Sequence, residues 1–365
     1  TGICSPGSQQ CNGQIPQTCD ASGQWQSGSA CAYACRSIVG ACAEPELVAT
    51  FCNGCAGSIG KQIAFSADDV FWPGTILLQP SGVFRAPKAG GAVSPLGGSQ
   101  SGAAAGVAVS ADWVYYSTAK TVCTGTSCSY SFDTRRMTTD GTSNAPLSSG
   151  SYGSRLAADG SSLWWVQGDP AFNVPRTQIR KASLVDGATL IFGTAPAGYT
   201  FEPDLAVDTT RIFAPLNATG TRQGAVRAYD KQSGSLLFTA TSYDVGGVQM
   251  FPKNVTSVES NSSYLVWDAS GALLRTPLSG GATQQISVVY KQLGLLALDD
   301  EFVYFYYNQS GNSHIARVPI LGGETTFLAP IASGFVVNDI ALNGDYLYWI
   351  GFDTATKAVW RVAVR

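Results

Sequence analysis

The stretch Leu296-Ala297-Leu298-Asp299-Asp300-Glu301-Phe302-Val303-Tyr304-Phe305 is one copy of a pattern that recurs along the whole chain. Each copy joins a short apolar run, a turn that carries an acid or an amide, and an aromatic-rich run. The other copies begin at Ile63, Val107, Leu156, Leu205, Thr256 and Ile340. Successive copies lie about 45 residues apart, a period that is typical of β-propellers and solenoids.

Each repeat is expected to contain four short strands, which we name a to d in chain order. Strand b is apolar at successive positions, as in Leu163-Trp164-Trp165-Val166. A strand with one face in water would alternate, so this pattern predicts strands that are covered on both faces. The sequence therefore predicts an all-β fold, a seven-bladed β-propeller over residues 46–365.

The ends of the repeat region predict how the ring closes. The last repeat stops after its strand c, and Glu46-Leu47-Val48-Ala49-Thr50 resembles the strand d that it lacks. We expect residues 46–50 to complete the last blade, because a closed ring leaves only short, protected edges.

The ten cysteines are concentrated near the N-terminus. The first six indicate a disulfide-rich module over residues 1–45: Cys4, Cys11, Cys19, Cys31, Cys35 and Cys42. Six cysteines allow 15 pairings, and the sequence does not choose among them. The remaining cysteines form two local pairs, Cys52 with Cys55 and Cys123 with Cys128. The first pair also has zinc-ligand or redox spacing, but without a second matching pair disulfides are favoured, either within each pair or to the N-terminal module.

Composition limits the cellular setting and the partners. Charged residues make up 13% of the chain and the net charge is -3, which gives no electrostatic footprint for nucleic acid. No apolar stretch is long enough to span a membrane. The clustered, even cysteines favour an oxidising compartment. We therefore expect a mature secreted or cell-surface protein whose signal peptide has been removed.

Three stretches of the repeats resemble bacterial YWTD- and NHL-like β-propellers: ALDDEFVYFYY (297–307), IARVPILGG (315–323) and ALNGDYLYWI (341–350). The N-terminal CSPGSQQCNGQIPQTCDASGQW (4–25) resembles a cysteine-rich motif that precedes such propellers in secreted, myxobacterial-type proteins. The resemblance implies a propeller fold. It leaves the activity open, because family members include both binding platforms and lyases.

Two sets of polar residues recur once per repeat, and we interpret both as structural. The first is expected to close the turn between strands a and b by binding backbone groups: Asp68, Asp112, Asp159, Asp208, Glu259, Asp299 and Asn343. The second lies in strand c and is expected to pair with acids of the adjoining blade: Arg85, Arg136, Lys181, Arg227, Arg275, Arg317 and Arg361.

Metal and catalytic motifs are sparse. Asp299-Asp300-Glu301 is a dense acidic cluster, but it lacks the alternating ladder of a calcium loop, so calcium remains an alternative and no other cofactor is predicted. The single histidine, His314, is expected in a surface loop between strands b and c.

Sites on repeat scaffolds come from residues that break the repeat. The b–c connections of repeats two to four, including 117–131, and the d–a connection over 241–255 are long. The residues that lead into strand a, at the mouth of the expected channel, also differ between repeats. Together they give the candidate ligand-binding residues: Gln62, Arg155, Tyr199, Phe201, Asp204, Tyr243, Phe251, Lys253, Asn254 and Asp339.

Three functions are compatible with these features. The favoured one is a non-catalytic scaffold that binds an extracellular protein, peptide or glycan through the elaborated face of blades 2–5. The second is a lyase or hydrolase that uses paired carboxylates at the channel mouth, with Glu202, Asp204, Asp339 and Arg155 as candidates. The third is a structural subunit of an extracellular assembly.

Overall fold

The computed structural model describes residues 4–12, 14–36, 40–53, 57–76, 81–100, 103–124, 127–150, 153–169, 174–221, 223–245, 248–269, 271–288, 295–309 and 312–365. Every regular element in these ranges is a β-strand or an isolated bridge. The predicted all-β class is therefore confirmed.

The N-terminal module contains two small sheets that three disulfides hold together. Its strands are β1 (Gln9–Asn12), β2 (Ile15–Cys19), β3 (Trp25–Ser27), β4 (Cys35–Arg36) and β5 (Ala41–Cys42). The disulfides join Cys4 to Cys19, Cys11 to Cys35 and Cys31 to Cys42. A module with so few buried apolar side chains depends on such cross-links.

The described part of the repeat region forms seven larger sheets, numbered in chain order. Strand β6 (Pro45–Asn53) precedes them. Sheet 1 contains β7 (Gly57–Ile59), β8 (Ala64–Phe65), β9 (Asp69–Ile76), β10 (Ser81–Pro87) and β11 (Ser94–Gln100). Sheet 2 contains β12 (Ala103–Ser110), β13 (Trp113–Thr124), β14 (Ser127–Thr138) and β15 (Asn144–Ser149). Sheet 3 contains β16 (Ala157–Ala158), β17 (Ser162–Asp169), β18 (Val174–Ser183) and β19 (Thr189–Thr194).

Sheets 4 to 7 follow the same plan. Sheet 4 contains β20 (Tyr199–Phe201), β21 (Ala206–Val207), β22 (Arg211–Ala218), β23 (Gly224–Asp230) and β24 (Leu236–Ala240). Sheet 5 contains β25 (Tyr243–Val245), β26 (Val248–Met250), β27 (Val258–Ser260), β28 (Tyr264–Ala269), β29 (Ala272–Pro277) and β30 (Thr283–Val288). Sheet 6 contains β31 (Leu296–Leu298), β32 (Phe302–Gln309), β33 (Asn312–Pro319) and β34 (Thr326–Ile331). Sheet 7 contains β35 (Val336–Asn343), β36 (Tyr346–Phe352), β37 (Thr356–Ala363) and, at its outer edge, β6.

The strand expected near residues 46–50 lies within β6, which pairs antiparallel with β37. The register places Glu46 opposite Arg361 and Ala49 opposite Val359. The N-terminal end of the repeat region thus supplies the fourth strand of the last sheet.

The apolar core lies between the sheets. The described residues form seven clusters of buried side chains, and each is shared by two consecutive sheets, with one of them joining sheet 7 to sheet 1. Trp164 faces the sheet 4 side, whereas its neighbour Trp165 faces the sheet 2 side. Both are fully buried, so the continuous apolarity of strand b follows from covering both faces of each sheet.

The strand c cations connect consecutive sheets, but through backbone carbonyls and not through the acids that we expected. Five of them donate to the carbonyl three residues after the equivalent cation of the next sheet, at 2.7 to 3.3 Å: Arg85 to Thr139, Arg136 to Leu184, Arg275 to Ile320, Arg317 to Val364 and Arg361 to Lys88. At the junction of sheets 3 and 4, Lys231 pairs with Asp159 instead. At the junction of sheets 4 and 5, Arg211 donates to the Leu278 carbonyl. Carbonyl oxygens are available here because this turn leaves them outside the strand ladders.

Three of the seven a–b turns follow the predicted chemistry. In sheets 3, 4 and 6 the carboxylate accepts from amides two and three residues later: Asp159, Asp208 and Asp299. In sheet 5 the acceptor is Asn261 and not Glu259, so that part of the interpretation was wrong. In sheet 1, Ser66 and not Asp68 accepts the turn amide. No side-chain hydrogen bond of Asp112 to the described residues is found in sheet 2, and in sheet 7 Asn343 Oδ1 accepts from Lys88 Nζ and not from a turn amide.

The long b–c connection of the second repeat is not a loop. Strands β13 and β14 continue through most of 117–131, and each is 12 residues long. The register places Cys123 directly opposite Cys128. The side chains of Cys52, Cys123 and Cys128, and all of Cys55, lie outside the described residues, so the pairing of these four remains a prediction.

The module packs against sheets 6 and 7. The Ala34 amide donates to the Phe327 carbonyl, and Ala34 shares an apolar cluster with both sheets. His314 lies in β33, not in a loop, with its ring 4.6 Å from that of Phe327 and 6.4 Å from that of Tyr33 of the module. Burial lowers the pKa of His314, and its Nδ1 is buried without a hydrogen bond to the described residues.

We expect Arg317→Met to lower the free energy of unfolding by about 1–2 kcal/mol, because it removes a hydrogen bond from a charged donor and a cation–π contact with Phe302. The measurement is urea denaturation followed by tryptophan fluorescence. Arg180→Met is the control, since that guanidinium donates to Gln167 within sheet 3. Equal losses in the two variants would contradict the inter-sheet role.

We expect acid to destabilise the wild type more than His314→Phe. The folded pKa lies below the unfolded value of about 6.5, so protonation favours unfolding and stability is lost as the pH falls below about 6.5. The measurement is the difference in melting temperature between the two proteins at about pH 7.5 and about pH 5.5. A difference that does not change with pH would show that the histidine is not held neutral.

Candidate functional site

A cavity of about 250 Å³ lies where the first strands of the sheets converge, and we call it the central cavity. Residues close to the first strands of six sheets line it: Lys61, Arg155, Asp204, Thr256, Leu295 and Asn338. This is the region in which the sequence placed Gln62, Arg155, Asp204 and Asp339. Residues from four different repeats are thus brought together, which no local pattern in the sequence shows.

Arg155 is the centre of this cluster. Its Nη2 lies 2.7 Å from Asp339 Oδ1, and its Nε lies 2.9 Å from Asp204 Oδ1. Its Nη1 donates to the Lys61 carbonyl at 3.0 Å. One guanidinium therefore connects sheets 1, 3, 4 and 7.

The two carboxylates use their second oxygens to bind the entry of the next first strand. Asp339 Oδ2 accepts from the Ile63 amide at 2.7 Å. Asp204 Oδ2 accepts from Ser257 Oγ at 2.7 Å and from the Val258 amide at 3.1 Å. Both acids are buried and have backbone partners, so their local role is to join consecutive sheets.

Gln62 plays a similar part. Its Oε1 accepts from the amides of Val107 at 3.0 Å and Leu156 at 2.9 Å. One amide side chain thus serves sheets 2 and 3, and its acceptor capacity for a ligand is occupied.

Glu259 lies in β27, where its charge interacts with those of Arg155 and Asp204, and it is not the turn residue that its repeat position predicted. The equivalent position in each of the other six sheets is alanine: Ala64, Ala108, Ala157, Ala206, Ala297 and Ala341. Burial, and then the charge of Asp204, raises the pKa of Glu259 to about 8, although Arg155 opposes the shift. No hydrogen bond joins its carboxyl to the described residues. One glutamate among six alanines was a signal that the sequence offered.

Asp268 supports the cluster from sheet 5. Its carboxylate accepts from the amides of Thr256 at 3.0 Å and Ser257 at 2.6 Å, and from Thr256 Oγ1 at 2.7 Å. Burial nevertheless raises its pKa to about 6. Asp204, Asp339 and Glu259 therefore act on the charge of Arg155. Burial holds the pKa of Glu259, Asp268 and Asp339 above the usual range.

Of the other candidate residues, Glu202 also lines the central cavity, and the rest lie outside its lining. Phe201 is fully buried in the core between sheets 3 and 4, so its assignment to a ligand site was wrong. Tyr199 is half-buried beside the same core. Glu202 is paired with Arg176 at 3.3 Å and accepts from Asn217 at 2.9 Å.

The d–a connection before sheet 5 folds into a hairpin, β25–β26, which pairs with the outer strand β30. Tyr243 is half-buried in it, whereas Phe251, Lys253 and Asn254 are exposed beyond its end. We expected Asn254 to lead into the first strand. Ser257 occupies that place, because Asn254 lies in a turn with φ of 50°.

Within the described ranges, no group of three or more histidine, cysteine or acidic side chains is arranged to hold a metal ion. Asp299, the strongest member of the predicted acidic cluster, accepts from the amides of Glu301 and Phe302 and from the Tyr304 hydroxyl. A calcium site there is not shown.

No helix in the described structure could cross a membrane.

We expect Glu259→Gln to be more stable than the wild type at about pH 8 and to lose that advantage toward pH 5. The folded pKa of about 8 exceeds the unfolded value of about 4.3, so stability is lost as the pH rises through this range and the glutamine avoids the loss. Unfolding by urea at both pH values measures the difference. Glu301→Gln, at an exposed acid, is the control, and the same pH trend in both variants would contradict the assignment.

The chain has the fold of β-propellers of known structure. It superposes on hydrazine synthase from Kuenenia stuttgartiensis with a TM-score of 0.60 and 12% identity, over 87% of this chain and 98% of that one. The propeller of Dos1 superposes with a TM-score of 0.58 and 8% identity, over 88% of this chain and 95% of that one. A structure from a study of two prolyl endopeptidases superposes with a TM-score of 0.53 and 13% identity, over 86% of this chain but 48% of the peptidase chain. No protein-family model and no curated protein matches the sequence. At these identities the likeness shows a propeller fold.

Proposed function

We propose that this chain is a secreted or cell-surface, seven-bladed β-propeller, closed by β6 and preceded by a disulfide-rich module at residues 1–45, that acts as a non-catalytic scaffold for a protein partner. The three disulfides are consistent with an oxidising compartment. The cyclic order of inter-sheet clusters, from sheet 7 back to sheet 1, supports closure.

The observation that carries the binding role is the exposed apolar face of the β25–β26 hairpin. Cross-strand pairing sets Tyr243 opposite Met250 and Val245 opposite Val248. Residues two apart share a face, so these four side chains lie on one side of the hairpin. Val245, Val248 and Met250 are 44%, 60% and 43% exposed, and Phe251 beyond them is 55% exposed. We call Tyr243, Val245, Val248, Met250 and Phe251 together the hairpin patch.

The hairpin patch breaks the repeat and lies at the outer edge of sheet 5. Strand β26 has an unpaired edge in the described structure. An exposed apolar strand edge invites a second chain, through side-chain contacts and through backbone hydrogen bonds. Exposed apolar side chains also occur on the outer strands of sheets 3 and 4: Leu190, Ile191, Leu236 and Leu237. A protein surface fits this extended rim better than a small molecule does.

The structure offers less support for glycan binding through the strand b tryptophans. Trp72, Trp165, Trp267 and Trp349 are at most 2% exposed, so their rings are not open to stacking by sugars. The likeness to peptidases shows a shared fold and carries no active site to this chain. The catalytic candidates Asp204, Asp339 and Arg155 are occupied in joining the sheets.

We expect Val245→Ser, Val248→Ser and Met250→Ser together to abolish capture of the partner without loss of folding. The measurement is a pull-down from the extracellular and envelope fractions of the source organism, with the oxidised chain as bait. Val185→Ser is the matched control, because Val185 is 85% exposed but lies in a turn of sheet 3 away from the hairpin.

The outcomes separate the alternatives. A partner that is lost from the triple variant and retained by Val185→Ser supports the scaffold. A partner retained by both variants would contradict the role of the hairpin patch. A glycan recovered shortened would support the lyase or hydrolase alternative, and capture of further copies of the chain would support the assembly alternative.

A further inference from the structure

A second cavity, unrelated to the hairpin patch, lies between sheets 6 and 7. It has a volume of about 360 Å³, within the range of small-molecule sites. We call it the 6–7 cleft and define it by Phe335, Trp349, Trp360, Ile331 and Asp353, with prolines at its margin. We propose that the 6–7 cleft binds a small organic cation of the quaternary ammonium class.

The aromatic lining supports this ligand class. Trp349 and Trp360 are cross-strand partners on one face of sheet 7, with ring planes within 8° of parallel and centroids 6.4 Å apart. Trp349 and Phe335 are 2% and 8% exposed and lie beneath the cleft, so the half-buried Trp360 is the ring that presents a face to a ligand. Aromatic faces attract cations, and tryptophan does so most strongly.

The acid at the margin adds the charge. Asp353 Oδ1 accepts from the amides of Ala355 and Thr356 at 2.7 and 2.6 Å. Its other oxygen has no hydrogen bond or ion pair with the described residues. The two amides lower the pKa of Asp353, so the carboxylate is ionised at neutral pH.

Among the described residues that line the cleft, none is a lysine or an arginine. Lys357, the nearest in sequence, contributes to the lowered pKa of Asp353. It follows Thr356 in β37, however, and successive side chains of a strand point to opposite faces, so Lys357 is directed away from the face that Thr356 shares with the cleft. The cleft therefore combines apolar walls with one negative charge, which complements a bulky, weakly hydrated cation.

The test uses choline and its neutral carbon isostere, 3,3-dimethyl-1-butanol, which have nearly the same shape and differ in charge. Calorimetric titration of the oxidised full chain measures both. We expect choline to bind and the alcohol to bind at least about tenfold more weakly, as one cation–π contact and one carboxylate provide.

Two variants locate the site. Asp353→Asn keeps the oxygen that closes the turn and removes the charge, and Trp360→Leu removes the ring face; each is expected to weaken choline binding about tenfold. Asp230→Asn is the control, because Asp230 closes a similar turn in sheet 4 with the amides of Gln232 and Ser233 and does not line the cleft. Circular dichroism verifies that the variants fold.

Several results would overturn the proposal. Equal affinity for choline and the alcohol would mean an apolar pocket without charge selectivity. Unchanged choline binding in Asp353→Asn would place the ligand elsewhere. No heat of binding with choline in large molar excess over the protein would show that the cleft does not bind this class of cation. None of these results bears on the hairpin patch, so the two proposals stand or fall separately.

Discussion

The structure depends on the burial of both faces of every sheet. Because adjacent residues of strand b, such as Trp164 and Trp165, point to opposite sides, no sheet can bury its own apolar surface. Each sheet is stable only between two neighbours, and the last sheet meets this requirement through the apolar cluster that it shares with sheet 1, to which its outer strand β6 contributes. The hydrophobic effect therefore acts at the junctions between sheets, where all seven clusters lie.

Polar side chains then fix the sheets relative to one another at two levels. At the turns between strands c and d, cations such as Arg317 bind the carbonyls of the next sheet. At the entry to the first strands, the side chains of Gln62, Asp204 and Asp339 accept hydrogen bonds from backbone amides of other sheets. Arg155 neutralises the charges of Asp204 and Asp339. Groups that look catalytic in the sequence are thus explained by the need to satisfy backbone groups near the axis.

Features without such an explanation are the ones to which function is most reasonably assigned. Glu259 replaces an otherwise uniform alanine and is held with a raised pKa, which costs stability without a visible structural return. The hairpin patch exposes apolar side chains that a monomer would ordinarily cover. The 6–7 cleft presents an ionised carboxylate beside aromatic rings. These three features lie in different parts of the molecule.

The sequence by itself determined the all-β class, the repeat and its strand order, the identity of the buried aromatic residues and the strand that joins the last sheet. These follow from local periodicity, which depends on neighbours along the chain. The tertiary structure alone decided the disulfide pairing, the carbonyl partners of the cations, the replacement of Glu259 by Asn261 in its turn, and the meeting of Arg155 with Asp204 and Asp339. The contacts of the cations and of Arg155 join residues from separate repeats, and the spacing of a repeat does not specify which of these side chains meet.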